Sequence, residues 1–496
     1  MRYLLVTRIV GILLSLVAFA MACCGIFALL DPIAGEAAAI AALLWSAGIT
    51  GVFALAMVAM AGLRHFKGRL LRREAVVIVG LGWVLSSAFG GLPYLLCPPH
   101  LDWAAALFES TSGFTTTGSS VMTNIEAWPR GLLLWRSVTQ WLGGIGILVL
   151  FVAVLSYLGV GAKSLFQSES SYRSGEAGVA RIHDTSLWLL RIYVCISMVC
   201  CIGLRAMGLS WFNAVCHSMT AVSTGGFSPH NASIGHYSSW GNGWLIELWL
   251  VVIMLCCSIN FLLYVVIARR NWRRLRQEED ARFLLLVVGL AVLAIAGGRA
   301  LHGDAGWLDA LRDALFTVVT IVSTTGFGTV DYEQWAAWSK VLLVLLMFCG
   351  GCAGSTAGGF KISRLLVFIK YARQEVIRAF RPNQVFPLRV NGQSMSENAR
   401  SRTLFFLTMF LMISFLATAV VGFLEAGTGI DIDTCAGSVL ATIANIGPGF
   451  GAVGPSDNFA HLREGTQLFL AWLMILGRLE LFALLVLFFP SAWRRY

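Results

Sequence analysis

Long apolar runs separated by short polar segments form the main pattern of the chain. Several runs have the roughly 20 residues that a helix needs to cross a bilayer core. The first two cover about 4–30 and 37–63, and a basic segment follows at 64–73. We interpret the run at 4–30 as a retained first helix, because no convincing small-residue cleavage site follows it. The pattern predicts an all-α polytopic membrane protein.

After the basic segment, one unit occurs four times. Each unit has an apolar run, a shorter semi-polar stretch, a small polar loop, a polar connection and another apolar run. We name the loops one to four; they lie at 115–120, 222–228, 322–329 and 443–450. Aligned on Gly118, Gly226, Gly326 and Gly447, they are separated by 108, 100 and 121 residues. This period fits a two-span module.

The units predict ten transmembrane helices, as two leading helices and four pseudo-symmetric helix–pore-helix–helix repeats around one central pore. The predicted parts are the two N-terminal helices and pore repeats one to four, at 1–70, 71–165, 166–275, 276–380 and 381–496.

The stretch before loop one, about 102–115, is too short to span a membrane. Fourteen residues of helix extend roughly 20 Å, which is less than the hydrocarbon core. Asp102 is a predicted N-cap, because a carboxylate can accept hydrogen bonds from the first free N–H groups. Irregular backbone at membrane depth is tolerated only in a polar cavity or inside the protein. We therefore expect a helix that stops part-way and a loop that returns.

Charge predicts which side the loops face. The net charge is +10, and the connections at 64–73, 163–181, 268–282 and 361–402 hold 23 Lys and Arg residues. The opposite connections hold five. The positive-inside rule places the basic connections and both termini, with Arg2, Arg8, Arg494 and Arg495, in the cytoplasm. The four loops then face outward, and the basic charge needs no nucleic-acid partner.

Other chemistry is scarce in the sequence. The twelve cysteines have no histidines at zinc spacing, and several lie in pairs inside apolar runs, which favours packing roles in helices. HExxH, a GxSxG in a matching context and a membrane Asp pair are all missing, so we expect no enzyme activity and no catalytic residues. His217 precedes loop two, and we expect it to be a hydrogen-bonded helix residue.

Four small polar loops around one axis can hold a dehydrated cation. Their backbone carbonyls provide rings of oxygen atoms that replace the water shell. Glycine permits the backbone angles that turn successive carbonyls inward. The preceding helices would direct their negative C-terminal ends toward the ion. A single Gly/Thr cluster would equally fit a helix-packing surface; four clusters at matching positions favour the pore.

A glycine-rich stretch at 350–359 is a candidate gate. It follows an apolar run of about 15 residues, which ends inside the membrane. Glycine at this density disfavours a helix, at roughly 1 kcal/mol per residue. The alternative is a small-residue helix-packing face of the GxxxG kind. The candidate gate residues in this stretch are Gly350, Gly351, Gly354, Ser355, Thr356, Gly358 and Gly359.

Arg478 lies inside the last apolar run, 465–490. An arginine in a membrane is costly and usually marks a pathway or a partner. We expect it to donate hydrogen bonds to carbonyls of the 350–359 stretch and to add a barrier to cations. Two alternatives are a local pair with Glu480 and snorkelling to the cytoplasmic surface.

The motifs resemble a known family. "STSGFTTTGSS", "SMTAVSTGGFS", "VVSTTGFGTVDY", "GGCAGSTAGGFK" and "ATIANIGPGFG" are similar to those of the Trk/Ktr/HKT superfamily of potassium transporters, most closely the bacterial Trk-type membrane subunits. The resemblance implies potassium uptake across the bacterial inner membrane, a homodimer, and gating by a cytosolic TrkA-like nucleotide-binding regulatory ring. It implies no covalent cofactor: K⁺ is the transported ion, and a nucleotide acts only through the partner.

The resemblance also assigns filter residues. They are Thr116, Thr117, Gly118, Thr224, Gly225, Gly226, Thr324, Thr325, Gly326, Asn445, Ile446 and Gly447. In plant relatives a serine at the first filter glycine accompanies sodium preference, so four glycines favour potassium. Loop four departs from the pattern with Asn445, Ile446 and Pro448. We therefore expect the four positions around the ion to differ.

Two alternative functions stay open: a cation-coupled secondary transporter and a less selective K⁺/Na⁺ channel. The shared orientation of the four units disfavours the inverted repeats that are common in secondary transporters. The basic stretch that begins at Lys361 is also a candidate for docking a cytosolic regulator.

Overall fold

A computed structural model describes residues 2–30, 36–62, 72–158, 177–268, 270–381 and 388–480. The described chain is mostly helical, which confirms the all-α prediction. Its helices are α1 (Tyr3–Leu30), α2 (Glu36–Ala61), α3 (Arg72–Gly90), α4 (Leu92–Leu96), α5 (Trp103–Phe114), α6 (Arg130–Leu158), α7 (Ala177–Ala206), α8 (Trp211–Val222), α9 (Gly243–Ser258), α10 (Leu262–Ala268), α11 (Trp272–Leu275), α12 (Asp280–Leu301), α13 (Trp307–Val322), α14 (Ala337–Met347), α15 (Ile362–Phe380), α16 (Glu397–Leu424), α17 (Ile432–Ile443) and α18 (Glu464–Arg478).

Several of these helices can cross a membrane. Six segments of the described residues are long and apolar enough: Tyr3–Leu30, Ala37–Ala61, Glu74–Leu96, Ser186–Ala206, Asp280–Leu301 and Glu397–Leu424. A seventh span is possible if α9 and α10, which meet at a 97° bend, count as one. The exposed side chains on these helices are largely apolar, as expected where lipid replaces water. The ten-span count and the repeat boundaries stay predictions.

Four short helices, α5, α8, α13 and α17, end at the four loops. Three of them have 12 residues and α13 has 16, so none reaches across a bilayer. Asp102 occupies the N-cap position of α5 with extended backbone, but its side chain makes no capping hydrogen bond. The predicted position is thus right and the predicted bond is wrong. Ser210 does cap α8, because its hydroxyl accepts from the N–H of Asn213.

A small hairpin adds to the helical fold. Strands β1 (Arg389–Val390) and β2 (Gln393–Ser394) pair antiparallel between α15 and α16. The turn residues Asn391 and Gly392 both have positive φ, as an Asn-Gly hairpin turn requires. The side chain of Asn391 accepts a hydrogen bond from the N–H of Glu279, which ties the hairpin to the start of α12.

Some sequence predictions lie outside the described residues. They concern the end of the last apolar run at 481–490, parts of the basic connections at 64–71 and 163–176, and Arg494 and Arg495.

Candidate functional site

The four loops share one backbone conformation. Each pore helix ends four residues before the aligned glycine, at Phe114, Val222, Val322 and Ile443. Two residues later the chain enters the left-handed region, with φ of 52° at Thr116, 55° at Thr224, 56° at Thr324 and 52° at Asn445. Positive φ is uncommon outside glycine, so its recurrence at four matching positions indicates a shared constraint.

The same hydrogen bonds hold each loop to its helix. In loop one, the N–H of Thr116 donates to the carbonyl of Gly113, and that of Thr117 donates to Ser112. The equivalent pairs are Thr224–Ala221 and Gly225–Thr220, Thr324–Ile321 and Thr325–Thr320, and Asn445–Thr442 and Ile446–Ala441. The sequence difference in loop four therefore leaves the backbone pattern intact.

The aligned glycines close the loops into a ring. A Cβ atom on Gly118 would lie 2.2 Å from the carbonyl oxygen of Gly225, the residue before the next aligned glycine. The same contact recurs in order around the ring: Gly226 to Thr325 at 2.0 Å, Gly326 to Ile446 at 1.9 Å, and Gly447 to Thr117 at 2.8 Å. Each aligned glycine also has a φ between 79° and 104°. Any larger residue would meet both a backbone clash and strain.

Most carbonyl groups of the ring have no protein donor. Two are occupied: Gln140 Nε2 donates to the carbonyl of Gly225 at 2.6 Å, and Ser119 Oγ donates to that of Gly447 at 2.8 Å. No described residue donates to the carbonyls of Thr116, Thr117, Gly118, Thr224, Gly226, Thr324, Thr325, Gly326, Asn445 and Ile446. Buried carbonyls normally have a partner, so this ring is suited to water or a cation.

A buried ion pair connects loop one to loop two. Glu109 on α5 and Arg136 on α6 lie 2.8 Å apart, with side chains 0% and 2% exposed. Arg136 also donates to the carbonyl of Ser228 at the end of loop two and to Ser120 Oγ at the end of loop one. Glu109 accepts from the N–H of Val121. These bonds satisfy both charges and fix the two loops relative to each other.

Hydrogen bonds also join the three remaining pairs of neighbouring loops. After loop two, the N–H of Gly235 donates to the carbonyl of Gly328 in loop three at 3.0 Å. After loop three, Tyr332 Oη donates to the carbonyl of Gly449 in loop four at 2.8 Å. The N–H of Phe459 donates to the carbonyl of Ser120 at 2.9 Å, which joins the segment after loop four to loop one.

Asn445 gives loop four a separate role in the ring. Its Nδ2 donates to Thr117 Oγ1 and to the carbonyl of Met474, both at 2.9 Å. One side chain thus joins loop four to loop one and to α18. A threonine has a single hydroxyl on a shorter side chain and could not make both contacts.

The candidate gate, 350–359, is an irregular loop that lies against the ring. It contains no helix, which excludes the helix-packing alternative for this stretch. The N–H of Gly358 donates to Thr324 Oγ1 at 2.6 Å, and Thr356 Oγ1 donates to the carbonyl of Val222 at 3.0 Å. A Cβ on Gly358 would lie 2.7 Å from the Cβ of Asn445. The loop therefore contacts loops two, three and four.

Two sets of backbone bonds anchor this gate loop. At its base, the N–H of Gly350 donates to the carbonyl of Phe360 at 2.7 Å. At its tip, the N–H of Phe261 donates to the carbonyl of Gly354, and the N–H of Cys352 donates to that of Ser258. Ser258 and Phe261 flank the break between α9 and α10, so the tip is held by the bend.

Arg478 contacts the gate loop as predicted. Its Nη1 donates to the carbonyl of Thr356 at 2.9 Å, and the residue is 2% exposed, which argues against snorkelling. The predicted alternative pair with Glu480 does not form: Glu480 pairs with Arg364 instead. Residues two positions apart point to different faces of a helix, and Glu480 also lies beyond the end of α18 at Arg478. In the described chain, Nε and Nη2 of Arg478 have no hydrogen-bond partner.

The sequence analysis missed three residues that support the ring. Glu109, Arg136 and Gln140 are polar residues within apolar stretches. Because polar side chains are costly in a membrane, their presence there was the signal that could have identified them. His217 fits its prediction: it is buried, and its ring nitrogens contact the carbonyl of Asn213 and the hydroxyl of Ser228.

Comparison with known proteins decides the family. A family model described as "TrkH: Cation transport protein" matches residues 48–494. The chain belongs to this TrkH family of cation transport proteins. That membership confirms the resemblance noted in the sequence and is consistent with a transporter rather than an enzyme.

Relatives match over nearly the whole chain. The Trk system potassium uptake protein TrkH of Halomonas elongata is 35% identical over 439 residues, covering 87% of this chain and 88% of the relative. TrkH of Escherichia coli is 33% identical, covering 100% of both. The crystal structure of the potassium transporter TrkH from Vibrio parahaemolyticus is similar with a TM-score of 0.88 at 30% identity, again over 100% of both chains.

Replacing Arg136 with alanine should destabilise the protein strongly. It would leave Glu109 buried without its partner, a change that typically costs about 3–5 kcal/mol. Arg378→Ala is the matched control, because Arg378 forms an exposed pair with Glu375, of a kind worth about 0–1 kcal/mol. Thermal unfolding of the purified variants in detergent measures the difference. Equal losses in both variants would contradict a structural role for the buried pair.

Proposed function

We propose that the chain carries potassium ions inward across the bacterial cytoplasmic membrane, through the ring formed by loops one to four. The observation that carries this proposal is the closed ring in which most carbonyl oxygens have no protein donor. A dehydrated monovalent cation needs such oxygens, because they replace its water shell without binding too tightly for release.

The surrounding charge supports a cation at the ring. The pore helices α5, α8, α13 and α17 end within four residues of the aligned glycines, so the negative ends of their dipoles lie close by. Side chains in the ring carry no charge, which suits transport better than tight binding. The relatives' names, as potassium uptake proteins, favour potassium over other monovalent cations.

The positions around the ion are not equivalent. The carbonyls of Gly225 and Gly447 already accept hydrogen bonds, from Gln140 and Ser119, so they are weaker ligands for an ion than their counterparts. We infer that ion sites formed by the other carbonyls are occupied more strongly. This inequality agrees with the expectation drawn from the different chemistry of loop four.

The gate loop and Arg478 are proposed to control the pathway. The loop contacts loops two, three and four, and Arg478 holds it through Thr356. The guanidinium also places a positive charge beside the ring with two nitrogens free of protein partners among the described residues. A cation passing this point would be repelled until the loop and Arg478 move.

Regulation and orientation are proposed from charge and family. The basic connections put both termini and the basic stretch after the gate loop in the cytoplasm. Lys361 is the N-cap of α15 and lies two residues after the gate loop, so a cytosolic TrkA-like nucleotide-binding ring docked on α15 could move the loop. A homodimer in the membrane completes the proposal.

A cation-coupled secondary transporter and a less selective K⁺/Na⁺ channel are the competing functions. The closed ring favours a continuous pathway over an alternating-access site. The selectivity for potassium over sodium distinguishes a potassium transporter from the less selective channel.

Gly118→Ser should reduce the preference for potassium. The new Cβ would lie about 2 Å from the carbonyl of Gly225, which must move and widen the ring. Rubidium uptake into proteoliposomes is measured with competing potassium, sodium and caesium. In the parent protein potassium should compete strongly and sodium weakly; in the variant sodium should compete more strongly.

Gly289→Ala is the control for this experiment, because nothing lies within 4 Å of a Cβ at that position. It should leave the competition pattern unchanged. If sodium competes as well as potassium in the parent protein, the potassium proposal is wrong and the less selective channel is favoured.

Arg478→Ala should raise the rubidium leak in proteoliposomes without any regulatory partner. The variant loses both the bond to Thr356 and the positive charge beside the ring. Arg478→Lys keeps the charge and should leak less than the alanine variant. Arg191→Ala, which removes an exposed arginine on α7, is the control. An unchanged leak in Arg478→Ala would remove this residue from the gate.

A further inference from the structure

A cluster of metal-ligating side chains lies just beyond loops one and two. Glu126, His230 and His236 place a carboxylate oxygen and two imidazole nitrogens within 4.8 Å of one another. Glu126 belongs to the connection after loop one, and both histidines belong to the connection after loop two. In the described residues, it is the one group of three such ligands.

We propose that Glu126, His230 and His236 bind a divalent late transition-metal ion of the Zn²⁺ class. Two imidazoles and one carboxylate are a ligand set that favours such ions over Mg²⁺ or Ca²⁺, which prefer oxygen ligands alone. Three protein ligands leave a fourth position for water. The site takes no part in the ring, so its existence does not depend on the proposed ion transport.

The backbone around the site is already held without an ion. Asn231 Oδ1 accepts from the N–H of Ile125 at 2.7 Å, and Asn231 Nδ2 donates to Asn124 Oδ1 at 3.0 Å. These bonds align the segment that carries Glu126 with the segment that carries His230. An ion would therefore order only side chains, which lowers the entropic cost of binding.

His230 is the fixed ligand of the three. Its side chain is 16% exposed, and its Nδ1 lies 3.2 Å from Glu126 Oε1. Its Nε2 lies 3.0 Å from the side-chain amide of Asn213 on α8. Metal-bound histidines usually donate their second N–H to a neighbouring acceptor. With an ion on Nδ1, the Asn213 amide would turn its oxygen toward Nε2 to accept that proton.

The other two ligands have room to adjust. Around a tetrahedral ion with bonds of 2.0–2.1 Å, ligand atoms are about 3.4 Å apart, so modest closure is needed. The rings of His230 and His236 are stacked at 3.8 Å and lie 3° from parallel. A metal lies near the plane of each ring that binds it, so His236 must tilt out of this stack. His236 and Glu126 are both exposed, so each side chain has room to move, and the tilt changes the edge contact of His236 with the ring of Tyr237.

Co²⁺ binding tests the site directly. The full-length protein, purified in detergent without a polyhistidine tag, is titrated with Co²⁺ and followed by its visible d–d absorption. We expect one saturable site with the intensity of a four- or five-coordinate ion, displaced by one equivalent of Zn²⁺. The intense near-ultraviolet bands of cobalt–thiolate bonds should be absent, which separates this site from the free cysteines.

Variants assign the ligands. His236→Ala and Glu126→Gln should each lower the affinity for Zn²⁺ by at least about tenfold, since even a supporting contact to a metal ligand is worth 10–100-fold. His302→Ala removes an exposed histidine from another connection and is the control. Gel filtration checks that the variants are folded. No saturable site in the parent protein, or equal affinity in His236→Ala and His302→Ala, would overturn the proposal.

Discussion

The contact between each aligned glycine and the carbonyl of the next loop is the constraint on which the site depends. It recurs four times in cyclic order, from Gly118 through Gly226 and Gly326 to Gly447. The contact leaves no room for a side chain, and the positive φ at these positions disfavours one as well. The four short helices must therefore converge, and most carbonyls of the loops are left without protein donors. The proposed ion pathway follows from that shortage of donors.

Two buried arginines near the ring differ in how many of their nitrogens have hydrogen-bond partners. Arg136 has a full set of partners, with Glu109, Ser120 and Ser228, and it holds two loops in place. Arg478 makes one bond, to the gate loop, and two of its nitrogens lack partners among the described residues. A fully paired charge adds rigidity, whereas a partly paired charge is easier to move. This difference is consistent with the proposed roles of a fixed ring and a gate loop that moves.

Two features of the sequence predicted much of the site: the regular spacing of the four loops and the energetic cost of a charged residue in a membrane. The spacing of the aligned glycines identified the four loops, because each needs the same backbone angles. Arg478 was placed near the gate loop because a membrane arginine needs carbonyl acceptors. The alternative partner, Glu480, pairs with Arg364 instead, a contact between residues far apart in the chain. The two hydrogen bonds that Asn445 donates, to Thr117 and to Met474, join residues far apart in the chain, and no local pattern encodes them. The same is true of the bonds from Gln140 and Ser119 that make the carbonyls unequal.

Anomalous diffraction from crystals grown in rubidium tests the central claim most directly, because it locates the ion among the loops. The account predicts ordered rubidium on the axis of the ring, within coordination distance of carbonyls from all four loops. It also predicts stronger occupancy away from the carbonyls of Gly225 and Gly447. Ordered rubidium elsewhere in the protein, with the centre of the ring empty, would contradict it.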